Sequence, residues 1–426
     1  MIRSAALLAG THSGCGKTTV MLALLQAMQQ AGVSVDAFKC GPDFLDPLWH
    51  QAVTGKPSHN LDSFMMGAGL CIQQLQSTLN AGTYGLIEGM MGLFDGKAGV
   101  GETGSSLDLA RVLGVPVLLV ADVQGLSGSI VALVKGYCSC ASDKGVSISG
   151  IIANRAGSAG HAALLAQLLK DHQLPPIVAW LENGAPTIKQ RHLGLCRPHE
   201  TTVPELTALL HADLAALLKT FGQLNPALPE NHHGSPELAG KTIAIARDDA
   251  CCFIYPANVE WLMTQGAKLT FFSPLNGEPL PEATDAVWLP GGYPELYAAQ
   301  LASSATWASL RQFIERGGPV LAECGGMMLL GQLLIDNTQH AWPMAGILAF
   351  TTRMHSELVA LGYRELAGGT KGHEFHYSTR HMQENFAPAF AIEHGDQGLR
   401  YKNLRASYNH WYFASAPAEV LRWFQA

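Results

Sequence analysis

Residues 5–18 read Ala-Ala-Leu-Leu-Ala-Gly-Thr-His-Ser-Gly-Cys-Gly-Lys-Thr, an apolar run that breaks into glycines and closes on Gly16-Lys17-Thr18. The run predicts a buried strand, and the apolar pattern after it predicts a helix over 17–31. Strand, glycine-rich turn and helix is the setting of a phosphate-binding loop. Backbone N–H groups at Gly10, Thr11, Gly14 and Gly16, and at the helix start from Lys17 through Thr18 to Thr19, can converge on an anion. Lys17 supplies a point charge to the outer phosphates, and the Thr18 hydroxyl a ligand for Mg²⁺. The common spacing puts the first glycine at position 11. Here it stands one residue earlier, at Gly10, a variant found in a subset of such loops.

A chain of 426 residues exceeds one compact core and predicts two domains or three. With 48% apolar and only 14% charged residues, it reads as well buried rather than disordered. A net charge of −7 leaves no basic footprint for nucleic acid. The apolar start is too short for a signal peptide before the glycine loop takes over, and no stretch approaches the about 18 residues of a membrane span. The nine cysteines form no CxxC pair and are odd in number, so neither a disulfide framework nor a zinc site is indicated. A reduced, cytoplasmic compartment fits.

The same strand type recurs along the chain, in Gly85-Leu86-Ile87, Val115 to Val120 and Ile148 to Ala153, separated by helical patterns near 104–114, 127–142 and 158–172. Continuous apolarity means strands covered on both faces, hence a parallel α/β sheet. A polar stretch rich in Pro, Asn and His over 223–240, including His232-His233, reads as a linker between a domain of residues 1–222 and one of 241–426. The α/β pattern then restarts, with strands at 241–246, 268–272, 286–289 and 319–323 and helices near 256–266 and 304–317.

Two acidic clusters follow strands of the first domain. Lys39-Cys40-Gly41-Pro42-Asp43-Phe44-Leu45-Asp46 closes the second strand, and strand ends line the crevice where α/β proteins bind ligands. Asp43 there is either turn chemistry or a metal ligand. Glu88, in Ile87-Glu88-Gly89-Met90-Met91-Gly92-Leu93-Phe94-Asp95-Gly96, ends a buried strand where an unpaired carboxylate is costly. Mg²⁺ shared with Thr18, Asp43 and phosphate oxygens would remove that cost.

In the second domain Ala322-Glu323-Cys324-Gly325-Gly326 lies between a strand and a helix beginning at Met327. It forms a nucleophile elbow with cysteine in place of serine, with the helix N-terminus expected to favour a thiolate. Leu289-Pro290-Gly291-Gly292-Tyr293-Pro294-Glu295 ends a neighbouring strand, and Gly291 and Gly292 with the Gly325 N–H could form an oxyanion hole. The base is open among His373, His376 and His410. The Gly-His-Glu-Phe-His segment lacks the spacing of a zinc protease.

These residues resemble the cobyrinic acid a,c-diamide synthases over essentially the whole chain. The resemblance rests on Gly-Thr-His-Ser-Gly-Cys-Gly-Lys-Thr-Thr, Gly-Pro-Asp-Phe-Leu-Asp-Pro, Asn60-Leu61-Asp62, Glu-Gly-Met-Met-Gly-Leu-Phe-Asp-Gly, Pro-Gly-Gly-Tyr-Pro-Glu-Leu, Ala-Glu-Cys-Gly-Gly and Gly-His-Glu-Phe-His-Tyr-Ser, in that order. It implies a dethiobiotin-synthetase-like domain followed by a class I glutaminase domain. The implied substrates are ATP with Mg²⁺, glutamine and a corrinoid or related tetrapyrrole acid. Cys324 would release ammonia from glutamine, and ATP would activate the a- and c-carboxylates as acyl phosphates for amidation. By the family's motif His410 is the base, Asp43 and Glu88 help hold Mg²⁺, and Asp95 sits beside the reacting carboxylate or its acyl phosphate. Where the family reads His-x-His the second position here is Tyr412, and this glutaminase subclass lacks an acidic orienter of the histidine. A homodimer is compatible with the family.

Three rivals fit less of the chain. A partitioning-type ATPase carries a signature lysine where this chain has His12, and needs no second domain. A regulator with an inactive glutaminase would not keep both Cys324 and His410. Among sister amidotransferases, cobyric acid synthase is longer and lacks the Glu-Phe-His-Tyr-Ser form. Hydrogenobyrinic acid and nickel-sirohydrochlorin a,c-diamide synthases share the carboxylate chemistry and differ in the macrocycle.

Overall fold

Apolar runs without alternation have to be covered on both faces, and helices supply the cover. The computed structural model describes residues 3–96, 102–188, 190–191, 194–224 and 236–425. The chain divides into two compact units, Met1–Glu230 and Asn231–Ala426.

In the first unit β1 (Ser4–Gly10), α1 (Lys17–Gln30), β2 (Val35–Cys40), α2 (Asp46–Thr54), β3 (His59–Leu61), α3 (Gly67–Thr78) and β4 (Tyr84–Gly92) follow one another. Then come α4 (Ser106–Leu113), β5 (Val117–Asp122), α5 (Ser129–Ser142), β6 (Ile148–Ala156), α6 (Ala159–Asp171) and β7 (Ile177–Glu182). The parallel strands lie in the order β7-β6-β5-β1-β4-β2-β3. Leu210–Ala212 adds an antiparallel edge on β7, and Gly222–Gln223 runs antiparallel beside the start of β1. Strand order reverses around β1, so its carboxyl end opens at the crevice where such sheets bind ligands. Helix α1 buries Val20, Met21, Leu24, Leu25 and Met28 against Ala6, Leu8, Leu118, Val120 and Ile152 of the sheet. At about 1.5–3 kcal/mol per large side chain, this packing is what fixes the helix behind the loop.

The second unit holds a six-stranded sheet in the order Lys268–Phe272, Thr242–Ala246, Ala286–Leu289, Val320–Glu323, Leu404–Ser407 and Leu399–Tyr401, parallel except for the last strand. Beside it stands a three-stranded antiparallel sheet of Ala360–Glu365, Lys371–His376 and Asn409–Tyr412. The helix expected to begin at Met327 instead runs over Gly325–Met328. Gly326 has no room for a side chain, since a Cβ there would lie 2.2 Å from the Leu289 carbonyl oxygen.

Of the span 223–240, Gln223 belongs to a strand beside β1. Leu238 is fully buried and donates its N–H to the Gln265 carbonyl at 2.9 Å. Residues 225–235, with His232-His233, lie outside the described residues. Among the described residues no helix is long and apolar enough to cross a membrane.

Candidate functional site

The loop between β1 and α1 turns on two glycines with positive φ, Gly14 at 83° and Gly16 at 92°. Gly16 also faces Asn154 at the end of β6, whose Nδ2 would lie 2.1 Å from a Cβ at that position. Instead Asn154 Nδ2 donates to the Cys15 carbonyl at 2.8 Å. Gly10 is equally confined, with Cys15 Sγ 2.4 Å from where its Cβ would stand. The Tyr137 hydroxyl donates to the Thr11 carbonyl, the Thr11 N–H donates to the Val120 carbonyl, and Arg155 Nη2 reaches the Gly14 carbonyl. The carbonyls of Thr11, Gly14 and Cys15 are thus tied outward, and the Thr11 N–H, expected to face an anion, is instead taken up by Val120. Thr18 and Thr19 lie in the first turn of α1, behind Lys17, which is buried and donates to the Met91 carbonyl at 2.5 Å. Burial lowers the Lys17 pKa, and Lys39 lowers it further against the pull of Cys15 and Glu88.

Glu88, expected to end its strand, instead lies fully buried inside β4, which continues to Gly92, directly opposite Lys39 of β2 in the parallel register. Its Oε1 accepts from the Thr18 hydroxyl at 2.6 Å and lies 3.4 Å from Lys39 Nζ. Its Oε2 is 2.7 Å from His50 Nε2, and His50 Nδ1 meets the Ser58 hydroxyl at 2.9 Å. Burial pulls the Glu88 pKa upward, but Lys39 and the bonds from His50 and Thr18 prevail and hold it below the usual carboxylate range. Lys39 also pairs with Asp46. Burial works against the Lys39 charge, yet Asp46, Glu88 and Asp43 together raise its pKa above the ordinary lysine value. Asp46 gives way in this crowd: burial first, then Asp43 and Glu88, push its pKa well up.

Asp43 stands at the carboxyl end of β2, where its Oδ1 accepts from the backbone N–H groups of Leu45 at 2.7 Å and Asp46 at 3.0 Å. One oxygen therefore shapes the turn into α2. Asp95 is exposed beside the loop, its Oδ2 accepting from the Gly92 N–H at 2.8 Å while Gly92 pairs with Gly10 in register. Thr18 and Glu88 are in contact and Asp43 follows the carboxyl end of the adjoining β2, and their oxygens are of the hard type that Mg²⁺ takes. Among the described residues no group of three or more His, Cys, Asp or Glu side chains is arranged to hold a metal alone. An ion here would complete its shell with the Thr18 hydroxyl and phosphate oxygens.

In the second unit Cys324 takes φ 46°, ψ −111° at the sharp turn between Glu323 and Gly325, a strained conformation for a residue with a side chain. Its N–H donates to the Ser407 carbonyl at 2.7 Å. Gly291 is wedged between Cys324 and His410: a Cβ there would lie 2.3 Å from His410 Cε1 and 3.2 Å from Cys324 Cβ. Gly292 is pressed against the Ala250 carbonyl, and Gly325 faces the Gly292 N–H at 2.9 Å from its own missing Cβ. Cys324, His410, Gly291, Gly292 and Gly325 therefore share one site.

His410 stacks on His373, with ring centroids 4.9 Å apart and planes 15° from parallel, and the two pair in register across neighbouring strands. His373 Nδ1 lies 3.1 Å from the Tyr255 hydroxyl. His376 faces elsewhere, held by Glu374 at 2.8 Å and the Ser378 carbonyl at 2.8 Å, and stacked on Tyr408. Tyr412 packs edge-on against Tyr255.

Burial pushes the Cys324 thiol up to about 12; the Gly325 N–H opposes this and Glu295, Glu323 and Glu374 reinforce it. The expected thiolate is therefore corrected. A helix of one turn contributes too little to offset burial among carboxylates. Burial, then Arg364, lowers His373 to about 3, and burial with the neighbouring His373 and His376 lowers His410 well below its ordinary value. Burial thus favours the neutral thiol and the neutral imidazoles here.

Several participants escaped the sequence reading. Lys39 and Asn154 carry a signal, since each is a polar residue inside or ending an apolar strand. His50 and Tyr255 carry none.

Comparison with known proteins covers both units. Residues 6–182 match the CobQ/CobB/MinD/ParA nucleotide binding domain, and residues 242–418 the CobB/CobQ-like glutamine amidotransferase domain. The chain is 38% identical to cobyrinate a,c-diamide synthase of Herminiimonas arsenicoxydans, over 98% of this chain and 96% of that one. It is 36% identical to the enzyme of the same name from Priestia megaterium, over 98% and 96%. It is also 38% identical to hydrogenobyrinate a,c-diamide synthase of Brucella anthropi, over 95% and 97%.

Two outcomes follow from this geometry. Gly291→Ala should displace the His410 ring and lower glutamine hydrolysis by about 100-fold or more, measured as glutamate release, with ammonia-dependent activity kept. Because the folded pKa of His373 is depressed, its contribution to stability is present above about pH 6.5 and is lost as pH falls toward 3. Between pH 6.5 and 5 the thermal midpoint of the parent should fall relative to that of His373→Gln. The difference between the two is the readout, because Glu323, raised to about 8 mainly by burial, contributes with the opposite sign.

Proposed function

The chain belongs to the cobyrinate and hydrogenobyrinate a,c-diamide synthase family, and from that premise we propose how its own residues carry out the reaction. It is a glutamine-hydrolysing carbon–nitrogen ligase of cobalamin biosynthesis. It amidates the a- and c-carboxylates of cobyrinic acid through acyl phosphates, using ATP and ammonia from glutamine. Relatives named for the metal-free substrate, hydrogenobyrinate, match equally well, so that macrocycle is the second reading.

In the glutaminase, Cys324 Sγ attacks the side-chain amide carbon of glutamine while His410 takes the thiol proton. The oxyanion that forms is received by N–H groups of the Gly291-Gly292 turn and Gly325. The proton then passes to the departing nitrogen as ammonia leaves, and water hydrolyses the glutamyl thioester to glutamate. A resting thiol is suited to this sequence, because the proton moves only once the amide is in place. His373 and its Tyr255 partner keep the His410 ring flat against its neighbour.

In the synthetase, Gly10, Thr11, Gly14, Gly16, Lys17, Thr18 and Thr19 surround the triphosphate. Thr18, Asp43 and Glu88 would hold Mg²⁺, which supplies charge neutralisation on the outer phosphates when bound. A carboxylate oxygen of the macrocycle attacks the γ-phosphorus and ADP departs. Ammonia then adds to the acyl carbon and phosphate leaves. Asp95, exposed and fixed beside the loop by Gly92, is positioned at the reacting carboxylate. The domains we assign are 1–222 and 241–426. All nine cysteines are free, which supports a reducing, cytoplasmic setting.

The observation that carries this reading is the presence on one chain of a phosphate-binding loop against a buried carboxylate and a cysteine against a histidine. Cys324→Ser should lower glutamine-dependent amidation by at least about 1,000-fold and leave ammonia-dependent amidation intact. Lys17→Ala should remove amidation by either nitrogen source, more than about 100-fold, with basal glutaminase still measurable. Mass spectra of the product from each macrocycle, counted in amide increments, separate the two substrates. Parallel loss of both activities in Lys17→Ala would argue against separate sites.

A further inference from the structure

Glu323 is the last residue of its strand and the residue before the nucleophile, and only 2% of it is exposed. Its Oε1 accepts from the Trp411 N–H at 2.8 Å, and its Oε2 from the Trp288 indole N–H at 2.8 Å. Trp411 follows His410. Trp288 lies in Ala286–Leu289, the strand that leads directly into Gly291 and Gly292. One carboxyl group thus touches the three segments that must converge for amide hydrolysis.

The topology shows why such a tie is needed. Strand Val320–Glu323 pairs with Leu404–Ser407 as far as Ser407, and the chain then leaves that sheet to form Asn409–Tyr412 in another. There His410 pairs with His373 on one side only. Alternate residues of an antiparallel strand direct their backbone groups to opposite sides, so those of Trp411 face away from the ladder. The Trp411 N–H goes to Glu323, and its carbonyl accepts from Asn258 Nδ2 at 2.8 Å. Asn258 Oδ1 in turn accepts from the Phe413 N–H at 2.9 Å. Two side chains replace the missing neighbour strand. An apolar residue at 323 would avoid the cost of burying a carboxyl group, but it could bond neither donor.

We infer that Glu323 is the positioning carboxylate of the glutaminase, setting the His410 strand and the oxyanion strand against Cys324 through the Trp411 amide and the Trp288 indole. The inference rests on reading Cys324 and His410 as nucleophile and base. It supplies through the backbone what an acidic partner on the histidine ring would supply directly. Gln is nearly isosteric, yet its amide nitrogen is a donor and cannot replace an acceptor, so one of the two N–H groups loses its bond.

In the full chain, Glu323→Gln should lower kcat for glutamine hydrolysis tenfold or more with KM within twofold, and leave ammonia-dependent amidation at the parental rate. Trp288→Phe, which keeps the Trp411 bond, should lower the same kcat about threefold, and it decides the matter if Glu323→Gln does not accumulate as folded protein. A kcat within a factor of 1.5 of the parent in Trp288→Phe, or twofold in Glu323→Gln, with about the resolution of the rate assay, would overturn the inference. Equal loss of glutamine- and ammonia-dependent amidation would also overturn it, since that marks a general fault in folding. His410→Asn, assayed in parallel, separates the premises. If it abolishes hydrolysis the base assignment stands whatever Glu323→Gln does, and if it hydrolyses at the parental rate the premise itself is lost.

Discussion

A parallel strand covered on both faces can present chemistry only where it ends, and both units are arranged by that constraint. In the first unit the ends of β1 and β2 bring Gly10, Lys39 and Asp43 to one edge of the sheet, and Glu88, inside β4, lies level with Lys39. In the second, Ala286–Leu289, Val320–Glu323 and Leu404–Ser407 end side by side, and the turns beyond them carry Gly291, Cys324 and, through Tyr408, His410. The close packing needed at those edges explains the glycines. Gly10, Gly16, Gly291 and Gly326 each stand where a methyl group would collide with a neighbour.

Two glutamates show how position alone leaves chemistry undetermined. Glu88 and Glu323 are both buried in or at the end of a parallel strand. Glu88 faces an ammonium group across the register and stays ionised despite burial. Glu323 meets only neutral N–H donors, and burial raises it to about 8. Charge that can be offset by a lysine and a hydroxyl suits a site for phosphates. A carboxyl group that accepts two neutral hydrogen bonds suits a scaffold. The difference lies in what crosses from the adjoining strand, not in the residue.

That distinction also marks what the sequence could reveal. Continuous apolarity made the parallel sheets legible, and the glycine loop and the Ala-Glu-Cys-Gly-Gly turn stood out because their backbone requirements are local. The helix of 17–31 and the strand of 268–272 agree with Lys17–Gln30 and Lys268–Phe272 to within a residue. Pairings set by register were not legible. Lys39 meets Glu88, and Glu323 meets Trp411 88 positions along the chain, with no pattern in either segment to announce it. Residue chemistry alone left His373, His376 and His410 open as the base and only the family resemblance pointed to His410; in the fold His373 and His410 lie face to face. The thiolate expectation failed for a related reason, since burial is a property of the assembled unit and outweighed a one-turn helix.

Burial that favours the neutral thiol and imidazoles has a mechanistic consequence. A preformed thiolate–imidazolium pair would be reactive toward any electrophile that entered. With the thiol pushed up to about 12 and both imidazoles held neutral, reactivity depends on groups that meet the substrate only as the carbonyl carbon becomes tetrahedral. Stabilisation confined to the transition state raises turnover without tightening ground-state binding. It also demands accurate placement, because hydrogen bonds to a developing oxyanion weaken steeply with misalignment. Accuracy of that order is difficult to maintain across a change of sheet between Ser407 and Asn409. A buried carboxyl group that binds both sides of the change is a direct physical answer, and it accounts for a glutamate in a strand that is otherwise apolar.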